Sequence, residues 1–438
     1  MNLQEKYLFA DIVYSILSHL NKDDSFNFIN ICKSVIKHKY YLYKKYVFNH
    51  HAITPTNKFM HHIESIKSTR IIDFGTIEFN NLTTFKLYLD SSYKKTSNSN
   101  INLQFAINNL PETLLKLIIH YDHLNMKLTA LPMNLKTLDI FSTVFNQPLD
   151  NLPLFLENLH IVSGVFLQSL DKLPNNLQNL YINSSIFNYS LNNLPETLKA
   201  LNLFCHTQNH QIDLKYLLNL ISLRIDNKSD VPHAFPDNLT ELYISNNYIE
   251  SFYKLGNLPN ALKILRISST IFNNPLNNLP DTLECLILIS DKFNQSLDNL
   301  PNLRRLVICS RTFNKSVDKL PETLRELHIS SRYFNQSLNN LPKKLEILRI
   351  FSNDFNKSIN KLPNNLEILK LFSNDFNNDF NNTIYNLPNN LQTLILGSDN
   401  FGQSLFNLPI SLKTKEISFS SHNYWLHNEY YDGYYAMC

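Results

Sequence analysis

Few residues in this sequence are spaced for chemistry, and none of the groupings is complete. Gly397 and Gly402 have the separation of the two glycines that frame a phosphate-binding loop. Gln403 and Ser404 follow them, where such a loop needs a lysine and then a serine or threonine to reach phosphate and metal. Cys205, His206 and His210 offer metal-ligand side chains, but no fourth donor lies near them, and a closed tetrahedral zinc site needs four. The five cysteines, Cys32, Cys205, Cys285, Cys309 and Cys438, are scattered without a Cys-x-x-Cys pair, so they read as reduced thiols and not as a disulfide frame. His50-His51 and His61-His62 read as surface linker residues. The expectation is a protein that binds and does not catalyse, with no cofactor and no metal.

Composition narrows the class of partner. The 438 residues carry a formal charge of only +3, so no concentrated basic face points to nucleic acid. No apolar run approaches the roughly 18 residues of a membrane span, and Asp11 interrupts the start before a signal-peptide core can form. A cytoplasmic monomer is expected, and sequons such as Asn294-Gln295-Ser296 should then stay unmodified.

The elements that would position any binding residue come from a repeat. From Leu110 onward a Leu-Pro pair returns, at Pro111, Pro132, Pro153, Pro174 and Pro195 and again from Pro236 to Pro409, mostly 21 residues apart. Leu217 fills one missing proline slot, which makes about fifteen repeats. The step from Pro301 to Pro321 is 20 residues, a deletion, and that from Pro363 to Pro388 is 25, an insertion. One unit reads Pro363, Leu366, Leu369, Leu371, Asn374, Phe376, which is a strand followed by a turn. Alternation at Leu369 and Leu371 puts both on one face of a short strand. Strands are expected at Leu324–Ile329, Leu345–Ile350 and Leu366–Leu371, with Phe334, Phe355 and Phe376 buried in register.

A single unit cannot fold alone. Each inward apolar residue contributes about 1.5–3 kcal/mol on burial, whereas ordering some 21 residues costs on the order of 20–40 kcal/mol. Stacking must supply the difference, which implies an α/β repeat fold: a leucine-rich-repeat-like parallel β solenoid. The Asn column at Asn294, Asn314, Asn335 and Asn356 is expected to satisfy turn backbone groups by stacking its amides.

Eight units carry Phe-Asn, as in Phe145-Asn146-Gln147-Pro148-Leu149 and Phe272-Asn273-Asn274-Pro275-Leu276. Over roughly residues 105–412 the chain resembles the FNIP-repeat proteins, a leucine-rich-repeat-like family of amoebae and their large DNA viruses.

Residues 1–50 have a different texture, with Ile12, Ile16, Leu17 and Leu20 at helical spacing and a capped turn at Asn21–Asp24. The order Leu8-Phe9-Ala10-Asp11-Ile12-Val13, Ile16-Leu17, Leu20, Ile31-Cys32-Lys33 resembles the F-box, with Phe9 in place of its proline and Val35 in place of its tryptophan. That resemblance implies docking of a small helical head to the Skp-type adaptor of a cullin ubiquitin ligase, through Leu8, Ile12, Ile16 and Leu17, with the repeats choosing an unknown protein substrate. The alternative is a repeat scaffold whose head merely caps the solenoid.

The expected divisions are 1–50 for the head, 51–105 for a linker and N-terminal capping region, 106–416 for the solenoid and 417–438 for a C-terminal cap. Capping candidates are the decayed repeat Phe79–Phe105, with Leu82, Phe85, Leu87 and a polar insertion at Ser91–Asn100, and the aromatic tail around Trp425 and Tyr430. Partner-binding residues should flank the inward leucines. In the second half these are His328, Arg349, Phe351, Lys370 and Phe372, with Ile287, Ile289, Val307 and Cys309 as an apolar stretch beside them. The first-half column of Asp139, Phe141, His160, Tyr181 and Asn183 is more mixed.

Overall fold

The structure is a computed structural model and describes residues 81–89, 97–205, 214–227, 234–245, 257–373, 386–397 and 408–418, with strand segments at 48–49 and 65–68. The head residues Leu8, Ile12, Ile16 and Leu17, and the tail aromatics Trp425 and Tyr430, lie outside the described residues. The chain divides into two compact units, Met1–Ile186 and Phe187–Cys438.

The first unit holds strands β1 Phe48–Asn49, β2 Ser65–Ser68, β3 Thr84–Leu89, β4 Lys116–Tyr121, β5 Thr137–Phe141, β6 Asn158–Val162 and β7 Asn179–Ser184, with helix α1 Ser97–Asn108 between β3 and β4. Each strand pairs in parallel with the next. The second unit holds β8 Ala200–Cys205, β9 Ser222–Asn227, β10 Glu241–Ser245, β11 Ile264–Ser268, β12 Cys285–Ile289, β13 Arg305–Cys309, β14 Glu326–Ser330, β15 Ile347–Phe351, β16 Ile368–Phe372, β17 Thr393–Gly397 and β18 Thr414–Ser418. These too form an unbroken parallel ladder.

The turn before each strand explains why strands begin two residues later than expected. Leu324, Leu345 and Leu366 each donate their backbone N–H to the carbonyl of the proline three residues back, at 3.0–3.1 Å, so they close a turn before the ladder starts. Leu220 donates to Leu217 at 3.0 Å in the same way, so the turn survives without its proline. In the 20-residue coil the turn itself is shortened: Leu303 donates to Pro301 only two residues away, at 2.7 Å. The ladder is undisturbed, with Cys285 still opposite Arg305 and Leu286 opposite Leu306.

Three ladders run through the coils. Phe272, Phe293, Phe313, Phe334 and Phe355 stack with ring centroids 5.9–6.2 Å apart and planes within 11° of parallel, and all are at most 1% exposed. A second ladder was not foreseen. Buried serines two positions past the strand's last core residue donate their hydroxyls to the preceding coil's Phe carbonyl: Ser310 to Phe293, Ser331 to Phe313 and Ser352 to Phe334, each at 2.7 Å. The third is the asparagine ladder. Asn294, Asn314 and Asn335 each accept at Oδ1 from the backbone N–H of the next coil's asparagine, at 3.0–3.1 Å, which matches the reading of this column as backbone satisfaction.

Several expectations need correction or extension. Complete coils, strand and return path together, number nine among the described residues, fewer than the fifteen repeats expected; they open at Pro111, Pro132, Pro153, Pro174, Pro259, Pro280, Pro301, Pro321 and Pro342, and the other slots are described in part. The segment read as a polar insertion ends in α1, whose Leu103, Ala106 and Ile107 are buried together with Leu110. Those four positions have the i, i+3, i+4, i+7 spacing of one helix face. Leu82, Phe85 and Leu87 are buried around β3; β2 precedes it within the span read as linker and cap, and β1 lies at the end of the span read as the head.

Candidate partner-binding face

Within each unit, in-register pairing lines up the residues between the core leucines as columns on the other face of the sheet, about 4.8 Å apart. In the second unit one column runs Ile287, Val307, His328, Arg349, Lys370, and its neighbour runs Ile289, Cys309, Ser330, Phe351, Phe372. All eight expected partner-binding residues therefore do share one face.

Their exposure is not what the pattern implied. Ile287, Val307, His328 and Phe372 are 2%, 1%, 7% and 4% exposed, too buried to serve as projecting anchors. Ile287, Val307 and Cys309 form an apolar cluster against which Cys285 and Ile289 pack. Side chains one strand spacing apart cover each other's flanks, so outward apolar columns bury themselves. Arg349, Phe351, Lys370 and Ile289 remain half-buried.

The charges on this face are mostly used internally. Glu326 forms an ion pair with Arg305 at 3.1 Å on one side and accepts a hydrogen bond from Arg349 on the other. His328 sits among them. Burial first, and then the charges of Arg349, Arg305 and Lys370, push its pKa down to about 3, so the imidazole is neutral at physiological pH. Phe351 tilts against His328 at 5.3 Å and stacks on Phe372 at 4.7 Å with planes 4° apart.

The more accessible row lies in the first unit. Tyr88, His120, Phe141, His160 and Tyr181, on β3 to β7, follow one another with ring centroids 4.5, 3.9, 4.8 and 4.0 Å apart. All five are half-buried. Asp139 lies beside the row and meets Lys116 at 3.9 Å. Burial lowers the His160 pKa, opposed by the Asp139 carboxylate and assisted by His120. His160 Nε2 is buried without a hydrogen-bond partner among the described residues. The mixed first-half column contained Phe141, His160 and Tyr181. His120 and Tyr88 were missed, although the same nine-residue offset from Pro111 reaches His120.

Of the residues spaced for chemistry, His206, His210, Gly402, Gln403 and Ser404 lie outside the described residues. Cys205 is buried, and burial with Asp226 pushes its thiol pKa up to about 12, so it is not a thiolate nucleophile. Among the described residues no cluster of three His, Cys, Asp or Glu side chains is placed to hold a metal. Gly397 has a steric role beneath the Phe372 ring. Among the described residues no helix is long and apolar enough to cross a membrane.

Neither a protein-family model nor a curated protein matches the sequence. Among solved structures, the chain is similar to CroV588, described as a novel circular LRR protein, at 24% identity and a TM-score of 0.54; the match covers 81% of this chain and 63% of that one. The chain thus spans less than two thirds of that protein's length. YopM from Yersinia enterocolitica WA-314 matches at 21% identity over 81% of this chain and 72% of its own, with a TM-score of 0.47. The functional domain of InlJ from Listeria monocytogenes matches at 13% identity over 69% and 65%, with a TM-score of 0.43. The fold is that of a leucine-rich-repeat protein.

Proposed function

We propose that this chain is a non-enzymatic protein-capturing scaffold, and that it serves as the substrate-recognition adaptor of a cullin-type ubiquitin ligase. The observation that carries protein capture is the half-buried aromatic row from Tyr88 to Tyr181, which crosses five adjacent strands and steps by one column between Phe141 and His160. Half-exposed aromatic side chains on a pre-ordered sheet lose little entropy on contact and supply large area, as interface anchors do. Phe351, Arg349 and Lys370 offer a second contact region on the other unit's strand face.

The adaptor role rests on the head sequence, where Leu8, Ile12, Ile16 and Leu17 present the apolar stripe that an F-box uses toward a Skp-type protein. The test is co-purification of the full chain with a Skp-type adaptor and cullin. Ile12→Asp with Leu17→Asp should abolish that association while the repeats melt as before. If the unaltered chain captures no Skp-type adaptor, the ubiquitin role is wrong and a plain interaction scaffold remains.

A further inference from the structure

The coil opening at Pro301 is the 20-residue one, and its missing residue leaves a gap on the turn edge of the second unit. In several other coils the second residue after the proline slot clamps the preceding coil through its side chain. Thr282 Oγ1 donates to Asn260 O at 2.6 Å, Asn238 Nδ2 to Leu218 O at 3.0 Å, and Asn365 Nδ2 to Lys343 O at 2.9 Å. After Pro301 there is only Asn302 before Leu303 closes the turn, so that position does not exist. A notch of about 490 Å³ stands there, flanked by Thr282 and Thr323.

The charge lining this notch is unbalanced. Lys263, Arg304, Arg325 and Lys344 face it against Asp281 and Glu284. Arg304 and Arg325 are like-charged neighbours on consecutive coils, and each pairs with a carboxylate on its far side: Arg304 with Glu284 at 3.6 Å, Arg325 with Glu346. Among the described residues no ion pair bridges the two guanidiniums. Lys263 and Lys344 are exposed and make no ion pair among the described residues. The volume falls in the range of ordinary ligand pockets.

We propose that this notch is a second binding site, which takes an acidic segment of a partner protein with a carboxylate lodged between Arg304 and Arg325. Arginine forks match carboxylate geometry, and an anion there relieves the repulsion between adjacent coils. The site is distinct from the strand face and independent of the head.

The test uses the purified full chain with no Skp-type protein present, so its outcome is separate from that of the adaptor reading. A fluorescein-labelled hexaglutamate peptide should give saturable anisotropy that weakens with salt, and hexaglutamine should not bind. Lys263→Ala with Lys344→Ala should weaken binding about tenfold. Inserting a threonine after Asn302, which restores a 21-residue coil, should remove it. If the insertion variant loses its cooperative melt, the lysine variant decides. Equal binding by the variants, or no saturable binding of hexaglutamate, overturns the proposal.

Discussion

The ring of Phe372 lies across Gly397 on the next strand: a methyl group built on that glycine would stand 2.3 Å from Cδ1 and 2.7 Å from Cε1 of the ring. Phe372 stays 4% exposed because the neighbouring strand has no side chain at the paired position. Gly397→Ala should therefore force the ring off its rotamer and destabilise the fold by about 1–3 kcal/mol. In urea melts of the double variant, Phe372→Ala should recover part of that loss through non-additivity. Fully additive effects would show that the two side chains do not compete for this space.

The phenylalanine stack should behave as a core. Phe334 lies between Phe313 and Phe355 at 5.9 and 6.2 Å and is fully buried. Phe334→Ala should cost about 3–5 kcal/mol. Phe105, which is 51% exposed on α1, should tolerate the same change with little loss. Comparable losses at both sites would argue against the buried stack.

The serine ladder should matter beyond its size. Ser331→Ala removes the donor to Phe313 O at 2.7 Å in a buried setting, so a loss of about 1–3 kcal/mol is expected. Ser337 caps an exposed turn by accepting from Asn339 N at 3.2 Å, and its alanine variant should lose less. Chemical denaturation of the two variants side by side makes the comparison.

Acid should weaken the second unit through His328. Its folded pKa of about 3 lies below the ordinary value of 6.5. Between those values the unfolded chain takes up a proton that the folded chain refuses. The stability from His328 is thus complete above about pH 6.5 and is lost as pH falls toward 3. His160, also lowered, acts in the same direction in the first unit. The denaturation midpoint of His328→Leu should depend less steeply on pH in this window than that of the unaltered chain, and an unchanged slope would refute the assignment.

Capture of a protein partner should depend on the first unit's aromatic row. Phe141→Ala with Tyr181→Ala should weaken association with a bound substrate by about 1–3 kcal/mol, read by calorimetry. Phe372→Ala should act mainly on stability, because its ring is already covered.

Much of this was legible without coordinates. The spacing from Pro321 to Pro342 to Pro363 dictates stacked coils, and the alternation at Leu348, Ile350, Leu369 and Leu371 dictates which face is core. The Asn294-to-Asn356 ladder followed from the same arithmetic, because any residue at a fixed offset meets its counterpart one coil away. Helix α1 is hidden in the sequence because it begins inside the polar run Ser91–Asn100, and only its second half carries the apolar spacing of Leu103, Ala106, Ile107 and Leu110.

Periodicity assigned each residue a column but not its accessibility. Ile287 and Arg349 occupy the same column, yet one is buried and the other half-buried, because burial on a parallel sheet depends on the side chains of both flanking strands. The depressed pKa of His328 comes first from its burial by the flanking strands and then from Arg349, Arg305 and Lys370, all on other coils. The notch after Pro301 is visible in the sequence only as a missing residue. Its cationic lining emerged when separate coils brought Lys263, Arg304, Arg325 and Lys344 to one edge. Local pattern sets the strand and its facing, since both follow from backbone geometry along the chain. Exposure, charge state and cavity depend on atoms some twenty residues or more away, and the ladder's closure alone brings those into contact.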